Sequence, residues 1–254
     1  MSTNPFTQQA PIEGVKKIIL VGSGKGGVGK STLAANLALA LKQSGLKVGL
    51  LDADIYGPSI PRLFGAINQK ISLNAEKKME PIVRHGLKIM SMGFLTNEGQ
   101  AVVWRGPMLV KAFEQFFREV AWGELDFLVI DLPPGTGDVA ITIAQKVPVT
   151  GGIVVSTPQN LSLVDAKKAI DMFVQLHIPL LGVIENMAFM QVGSERIQLF
   201  PRGEMDTYLD AHGIKKLAQI PFDTLIGMSS DAGMPCVISD STSETAGVFM
   251  KLAA

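Results

Sequence analysis

The chain has 254 residues, of which 47% are hydrophobic and 18% are charged, a composition that excludes a disordered protein. Its 23 basic and 23 acidic residues cancel, so it lacks the positive excess typical of nucleic-acid-binding proteins. A single cysteine, Cys236, excludes a disulfide within the chain and fits a reducing cytoplasm, where we place the protein.

The predicted elements follow a polar N-terminal segment with two prolines, residues 1–14, which we interpret as a flexible tail. It has no apolar stretch typical of a secretory signal, so we do not expect it to be one. Short apolar runs then recur along the chain, each bounded by glycine, proline or aspartate. Several are apolar almost throughout, which predicts strands that are covered on both faces of a parallel sheet. These runs are residues 17–21, 47–51, 87–90, 127–130, 152–155, 180–184 and 216–220.

Stretches with helical spacing of apolar residues lie between the strands, at residues 31–43, 108–120 and 163–176. Strands that alternate with helices imply βαβ units. We therefore predict an α/β fold with a doubly wound, mostly parallel sheet and helices on both faces. No linker divides the chain, so residues 15–254 are predicted to form a single domain.

The first strand and the first helix enclose the sequence GKGGVGKS, residues 24–31, which fits the P-loop pattern G-x-x-x-x-G-K-[ST]. Glycines let backbone N–H groups wrap around phosphate oxygens, and the helix N-terminus adds partial positive charge. We expect Lys30 to reach the β- and γ-phosphates of ATP, Ser31 to bind Mg²⁺ and Thr32 to contact the α-phosphate. The predicted nucleotide-binding residues of the loop are Gly24, Lys25, Gly26, Gly27, Val28, Gly29, Lys30, Ser31 and Thr32.

Further charged residues complete the predicted site. Lys25 is a second lysine inside the loop, where a cation could stabilise the charge of phosphoryl transfer. Asp131 ends an apolar strand, as the carboxylate of a Walker B motif does, and opens a turn-rich loop to Asp138 that is suited to sensing the γ-phosphate. Asp54 begins a loop after another strand and could position water or Mg²⁺. We assign catalysis to Lys25, Lys30 and Asp54, and magnesium binding to Ser31, Asp54 and Asp131.

The loop resembles the deviant Walker A loop of the group that includes MinD, ParA and the nitrogenase iron protein. Further segments resemble the Mrp (ApbC) family, so the resemblance covers nearly the whole chain from about residue 18 onwards. These segments are residues 52–59, 104–108, 131–138, 156–160 and 182–187.

The resemblance implies a homodimeric Mg²⁺-dependent ATPase that carries iron–sulfur clusters or acts as a scaffold for them. By position, Lys25 matches the lysine that reaches across the dimer to the nucleotide of the partner subunit. Asp54 matches the switch I aspartate, and Asp131 matches the Walker B aspartate. The residues that fall where the family contacts the adenine are Asn186, which reads its edge, and Pro221 and Phe222, which pack on it.

One departure from the family concerns the cluster. The family typically carries Cys-x-x-Cys after the Asn-Met pair, whereas residues 188–195 contain no cysteine here. Thiolates are the usual cluster ligands, and Cys236 would supply only two in a dimer, which makes an iron–sulfur cluster a doubtful cofactor. Two functions stay open: an Mrp-type carrier with iron–sulfur client or scaffold proteins, and a cluster-free MinD- or ParA-like ATP switch that controls a protein partner.

Membrane and nucleic-acid partners are not predicted. No apolar run is long enough to cross a bilayer. The last ten residues, 245–254, contain Lys251 as their one cation, unlike the membrane-targeting helix of MinD-like proteins. DNA binding of the ParA type would need the basic excess that the composition lacks.

Overall fold

A computed structural model describes residues 9–95, 106–201 and 203–254. The first eight residues of the predicted tail lie outside the described residues. So do Trp104 and Arg105 of the segment that resembles the Mrp family.

All seven predicted strands are present, and three further short strands were not predicted. The strands are β1 (Val15–Ser23), β2 (Val48–Asp52), β3 (Ile82–Arg84), β4 (Leu87–Ser91), β5 (Leu125–Asp131), β6 (Gly151–Ser156), β7 (Leu180–Glu185), β8 (Met190–Val192), β9 (Glu195–Ile197) and β10 (Lys216–Gln219).

Eight of these strands form one sheet in the order β10-β7-β6-β1-β5-β2-β4-β3. The seven predicted strands run parallel, and β3 adds to the edge in antiparallel orientation. Strands β8 and β9 form a separate antiparallel hairpin. This confirms the predicted mostly parallel α/β fold.

The helices are α1 (Lys30–Gln43), α2 (Ile60–Leu63), α3 (Gly106–Arg118), α4 (Asp138–Lys146), α5 (Asn160–Gln175), α6 (Met205–Ala211), α7 (Thr224–Asp231), α8 (Cys236–Ser239) and α9 (Glu244–Leu252). The three predicted helices are α1, α3 and α5, each of which begins one to three residues before its predicted start. Helix α1 is buried over most of its length because it lies between the sheet and the C-terminal helices α8 and α9.

The strand order places the carboxyl end of β1 at a topological switch point. From β1 the chain moves out to β2 and β4, returns to β5 on one side of β1, and crosses to β6 on the other side. Parallel strands end at one edge of a sheet, so the loops after β1, β2, β5, β7 and β10 gather there. Open α/β sheets bind ligands in the crevice at this position.

The described part of the N-terminal tail, residues 9–14, contacts the domain. Ala10 N donates to Lys146 O at 3.0 Å, Ile12 is buried, and the Arg118 guanidinium donates to the carbonyls of Ala10 and Pro11. The domain boundary after Gly14 stays a prediction. Among the described residues, none of the helices combines the length and the apolar character needed to span a membrane.

Candidate functional site: a P-loop at the carboxyl edge of the sheet

The predicted phosphate loop follows β1 and leads directly into α1 at Lys30. Gly27 and Gly29 have φ values of +80° and +82°, a backbone conformation that glycine adopts without strain. Gly24 is required for a different reason, since a Cβ there would lie 1.9 Å from the carbonyl oxygen of Asp165 in α5. The loop can therefore follow this path only with glycines at these positions.

Lys30 and Asp131 form a buried ion pair beneath the loop. The Lys30 ammonium donates to Asp131 Oδ1 at 2.6 Å, and the two side chains are 6% and 0% exposed. Lys30 also donates to Ser31 Oγ at 3.2 Å. Burial raises the pKa of Asp131, while Lys30 and Ser31 oppose that shift by favouring the carboxylate.

The oxygen atoms beside this pair suit Mg²⁺. The second carboxylate oxygen of Asp131, Oδ2, is buried and has no hydrogen-bond partner within the described ranges. A buried polar atom of this kind costs free energy unless a ligand satisfies it. Asp54 is nearly buried, and its charge acts to raise the pKa of Asp131. Hard oxygen donors such as these carboxylates and Ser31 Oγ are the ligands that Mg²⁺ takes in proteins.

The loop after β2 carries Asp54 with its carboxylate turned onto its own backbone. Asp54 Oδ1 accepts from Tyr56 N at 3.3 Å and from Gly57 N at 3.2 Å. Ala53 N donates to Asp131 O at 2.9 Å, so this loop is attached to the end of β5 as well.

Asp52 is a buried site residue to which sequence reasoning assigned no role. It lies opposite Asp131 in the register of β2 and β5 and is completely buried. Burial, and then the neighbouring Asp131, raise the pKa of Asp52 to about 8. The signal in the sequence was its position at the end of an apolar strand, which it shares with Asp131.

Lys25 and Asp138 lie nearer the surface. The Lys25 side chain is half-buried, and within the described part of the chain its ammonium makes no ion pair. Its carbonyl accepts from Ser23 Oγ at 2.9 Å. Asp138 is exposed and begins α4. Gly135 N donates to Ser23 O at 2.8 Å, so the loop between Asp131 and Asp138 is attached to the start of the phosphate loop.

The three residues expected around the adenine come together beside the phosphate loop. Asn186 is nearly buried, and its Nδ2 donates to Val28 O at 2.8 Å. Ala188 N donates to Ile220 O at 2.9 Å, which joins the loops after β7 and β10. Pro221 is buried, whereas Phe222 is 40% exposed.

The lone cysteine lies in the core. Cys236 is completely buried in α8, and its Sγ donates to Asn36 Oδ1 in α1 at 3.2 Å. Burial raises the pKa of this thiol to about 12. The hairpin β8–β9 occupies the segment where the family carries its cysteine pair, and all of β9 is exposed. Over the residues that the structure describes, no group of three or more His, Cys, Asp or Glu side chains could hold a metal ion.

Comparison with known proteins identifies the family. The sequence model described as "NUBPL iron-transfer P-loop NTPase", in the ParA group, matches residues 14–254. An iron–sulfur cluster carrier protein of Aquifex aeolicus is 51% identical over 98% of this chain and 69% of its own length. A carrier protein of the same name from Pseudomonas fragi is 47% identical over 98% of this chain and 89% of its own length.

Solved structures agree with this assignment. A nucleotide-binding protein of Archaeoglobus fulgidus in complex with ADP superimposes with a TM-score of 0.79, at 38% identity over 94% of this chain and 93% of that chain. MinD of Pyrococcus horikoshii with Mg-ADP gives a TM-score of 0.68, at 26% identity over 93% and 94% of the two chains. The Mrp (ApbC) resemblance and the relation to MinD are thus confirmed, and the chain belongs to the NUBPL family of iron-transfer P-loop NTPases.

Proposed function

We propose that this protein binds and hydrolyses Mg²⁺-ATP as an ATP-switched homodimer of the iron–sulfur cluster carrier type. The observation that carries the proposal is the buried Lys30–Asp131 pair at the end of the P-loop, where one carboxylate oxygen of Asp131 has no hydrogen-bond partner among the described residues. A cation and unsatisfied oxygen donors at a helix N-terminus suit a phosphate chain with its metal ion. The ADP complexes of two relatives support the same use of this loop.

Separate groups of residues would bind the phosphates and the adenine of ATP. The Lys30 ammonium would exchange its bond to Asp131 for charge-assisted bonds to the β- and γ-phosphates, and Thr32 would contact the α-phosphate. Asn186 has its Nδ2 engaged by Val28 O, so its Oδ1 can accept from the amino group of adenine. Phe222 and Pro221 would pack on the ring.

For hydrolysis, Asp54 would turn from its own loop backbone toward the γ-phosphate and orient the attacking water. Ser31, Asp131 and Asp54 would hold Mg²⁺, which when bound neutralises phosphate charge. Lys25 has no ion pair of its own among the described residues and is close to the surface, so it is available to the nucleotide of a partner subunit.

The cargo is the second part of the proposal. Relatives at about half identity are named iron–sulfur cluster carrier proteins, which supports cluster delivery to client or scaffold proteins. A cluster-free ATP switch acting on a protein partner is the alternative, and the burial of Cys236 favours it. If clusters are carried, ligands from another molecule would have to complete their coordination, because thiolates are the usual ligands.

The test is phosphate release by the purified protein in Mg²⁺-ATP and in ATP with EDTA, with Asp131→Asn beside the wild type. We expect hydrolysis that needs Mg²⁺ and that falls by at least about tenfold in Asp131→Asn, since a neutral amide binds the metal less well than a carboxylate. Asp126→Asn is the matched control, because Asp126 lies on the same strand and its carboxylate accepts from Lys16 Nζ and Lys47 N, away from the phosphate loop. Hydrolysis that is unaffected by EDTA or by Asp131→Asn would contradict the proposal.

A further inference from the structure

The carboxyl ends of three adjacent strands bring Asp52, Asp131 and Ser91 side by side. Asp52 on β2 is in register with Asp131 on β5 and with Ser91 on β4, and all three are buried. The proposed mechanism uses Asp131 and leaves Asp52 without a role. Burying a carboxyl group costs free energy unless its oxygens are hydrogen-bonded, so its contacts are informative.

The two oxygens of Asp52 contact both ends of one loop. Oδ1 accepts from Asp54 N at 3.1 Å, and Oδ2 accepts from Ile60 N at 3.2 Å. These two amides bracket residues 54–59, the loop that carries Asp54. Ser91 Oγ donates to Oδ2 at 2.9 Å and so holds the carboxyl group itself in place.

Between these two ends, the loop buries Ile55 in the core and exposes Tyr56 and Gly57. Tyr56 is 76% exposed, and the amides of Tyr56 and Gly57 donate to the carboxylate of Asp54. Those bonds would be lost when Asp54 turns toward a γ-phosphate. The bonds of Asp52 are to the backbone amides of Asp54 and Ile60, which do not involve the Asp54 carboxylate. They would therefore keep both ends of the loop fixed when the Asp54 side chain turns.

We propose that Asp52 is a positioning residue for ATP hydrolysis, which holds both ends of the 54–59 loop so that Asp54 can turn from its backbone to the nucleotide without displacing the loop. The inference rests on the proposed function, because it concerns the step that Asp54 serves. A carboxyl group is suited to this task, since it can accept at both oxygens, whereas an amide can accept at only one.

The first test compares Asp52→Asn with the wild type. Asparagine keeps the shape of the side chain and one accepting oxygen, so it can hold one end of the loop only. We expect kcat to fall by about tenfold, because small displacements of a catalytic group have effects of that size or larger. KM for ATP and Kd for ADP should stay within about twofold, since the phosphate loop is untouched. Chymotrypsin should cleave after Tyr56 faster than in the wild type.

Two further variants separate positioning from general stability. Ser91→Ala removes the support of the carboxyl group and leaves both loop bonds, so it should change kcat and cleavage in the same direction but less. Asp126→Asn removes a carboxylate that accepts from Lys47 N at 2.9 Å at the opposite end of β5. This variant makes the same carboxylate-to-amide change as Asp52→Asn, and it should leave kcat and the cleavage rate at their wild-type values.

The outcomes are distinct. Wild-type hydrolysis with an unchanged kcat in Asp52→Asn would overturn the inference alone, as would a loss of ADP affinity as large as the loss of kcat. If Asp52→Asn does not fold, Ser91→Ala decides, and wild-type values for its kcat and its cleavage rate would overturn the inference. If the wild-type protein hydrolyses no ATP, the proposed function fails, and the role assigned to Asp52 fails with it.

Discussion

Lys30 illustrates how one side chain connects the stability of the site to its function. A buried ion pair is costly to desolvate, and removing one partner leaves an uncompensated charge. The Asp131 carboxylate compensates the charge of the Lys30 ammonium, with its Oδ1 at 2.6 Å from Nζ. Phosphate oxygens can compensate it when ATP is bound, so the same ammonium serves the fold and the ligand.

Lys30→Ala should therefore weaken ATP binding by at least about tenfold, because each charge-assisted bond to phosphate contributes roughly 1.5–3 kcal/mol. Titration with a fluorescent ATP analogue measures this. Lys42→Ala, at the other end of the same helix, is the control and should bind as the wild type does. Because Asp131 loses its partner in Lys30→Ala, the titration is made well below the melting temperature of the variant. Unchanged affinity would refute the assignment of the P-loop.

Cys236 is expected to behave as a core residue. With its pKa raised to about 12 by burial, the thiol stays protonated near neutral pH, so iodoacetamide should label it only after unfolding.

We expect Cys236→Ser to keep ATP binding, and the wild-type protein to be colourless after anaerobic reconstitution with iron and sulfide. The measurements are the iron and sulfide content and the absorbance near 400 nm. A stable cluster with about four irons that Cys236→Ser abolishes would make Cys236 a ligand.

At the scale of elements, the contact between the phosphate loop and α5 depends on Gly24. Its Cα lies against the backbone of Asp165, and an added Cβ would come within 1.9 Å of that carbonyl oxygen. At Gly26, two residues further along, an added Cβ would lie in open space. The two glycines therefore differ in packing although they belong to one loop.

Gly24→Ala should lower the free energy of unfolding by about 1–3 kcal/mol, because a methyl group at a backbone contact has to displace α5. Gly26→Ala should leave it nearly unchanged. Thermal denaturation of both variants, followed by circular dichroism without nucleotide, makes the comparison. Equal melting temperatures for the two variants would show that α5 does not pack against Gly24 as described.

The elements that could be predicted from sequence are those with a strong local pattern. The apolar run of β1, the glycine-rich loop and the start of α1 follow one another, so each prediction supported the next. Strands β3, β8 and β9 have three residues each, too few for a periodic pattern, and depend on their pairing partners. Asp52 was missed because its partner Ser91 is distant in sequence and is brought to it only by the sheet.

At the scale of the whole molecule, the parallel sheet gathers the site at one edge. The loops after β1, β2 and β5 bring together Lys30, Asp54 and Asp131, which are far apart in the chain. The hydrogen bond from Asn186 Nδ2 to Val28 O connects the phosphate loop to the loop after β7, which lies in the other half of the sheet. Lys25 is the one proposed catalytic residue that is half-exposed, which suits a group that acts on the nucleotide of a second subunit.

The most direct test of an ATPase that works as a dimer is to mix Lys25→Ala subunits with Asp54→Ala subunits and measure phosphate release. In a mixed dimer, one site has its own Asp54 and receives the partner subunit's Lys25, while the other site lacks both. Random mixing in equal amounts should therefore restore about a quarter of the wild-type rate, although each parent is inactive. If every mixture is as inactive as its parents, the two residues do not complete one site across a dimer.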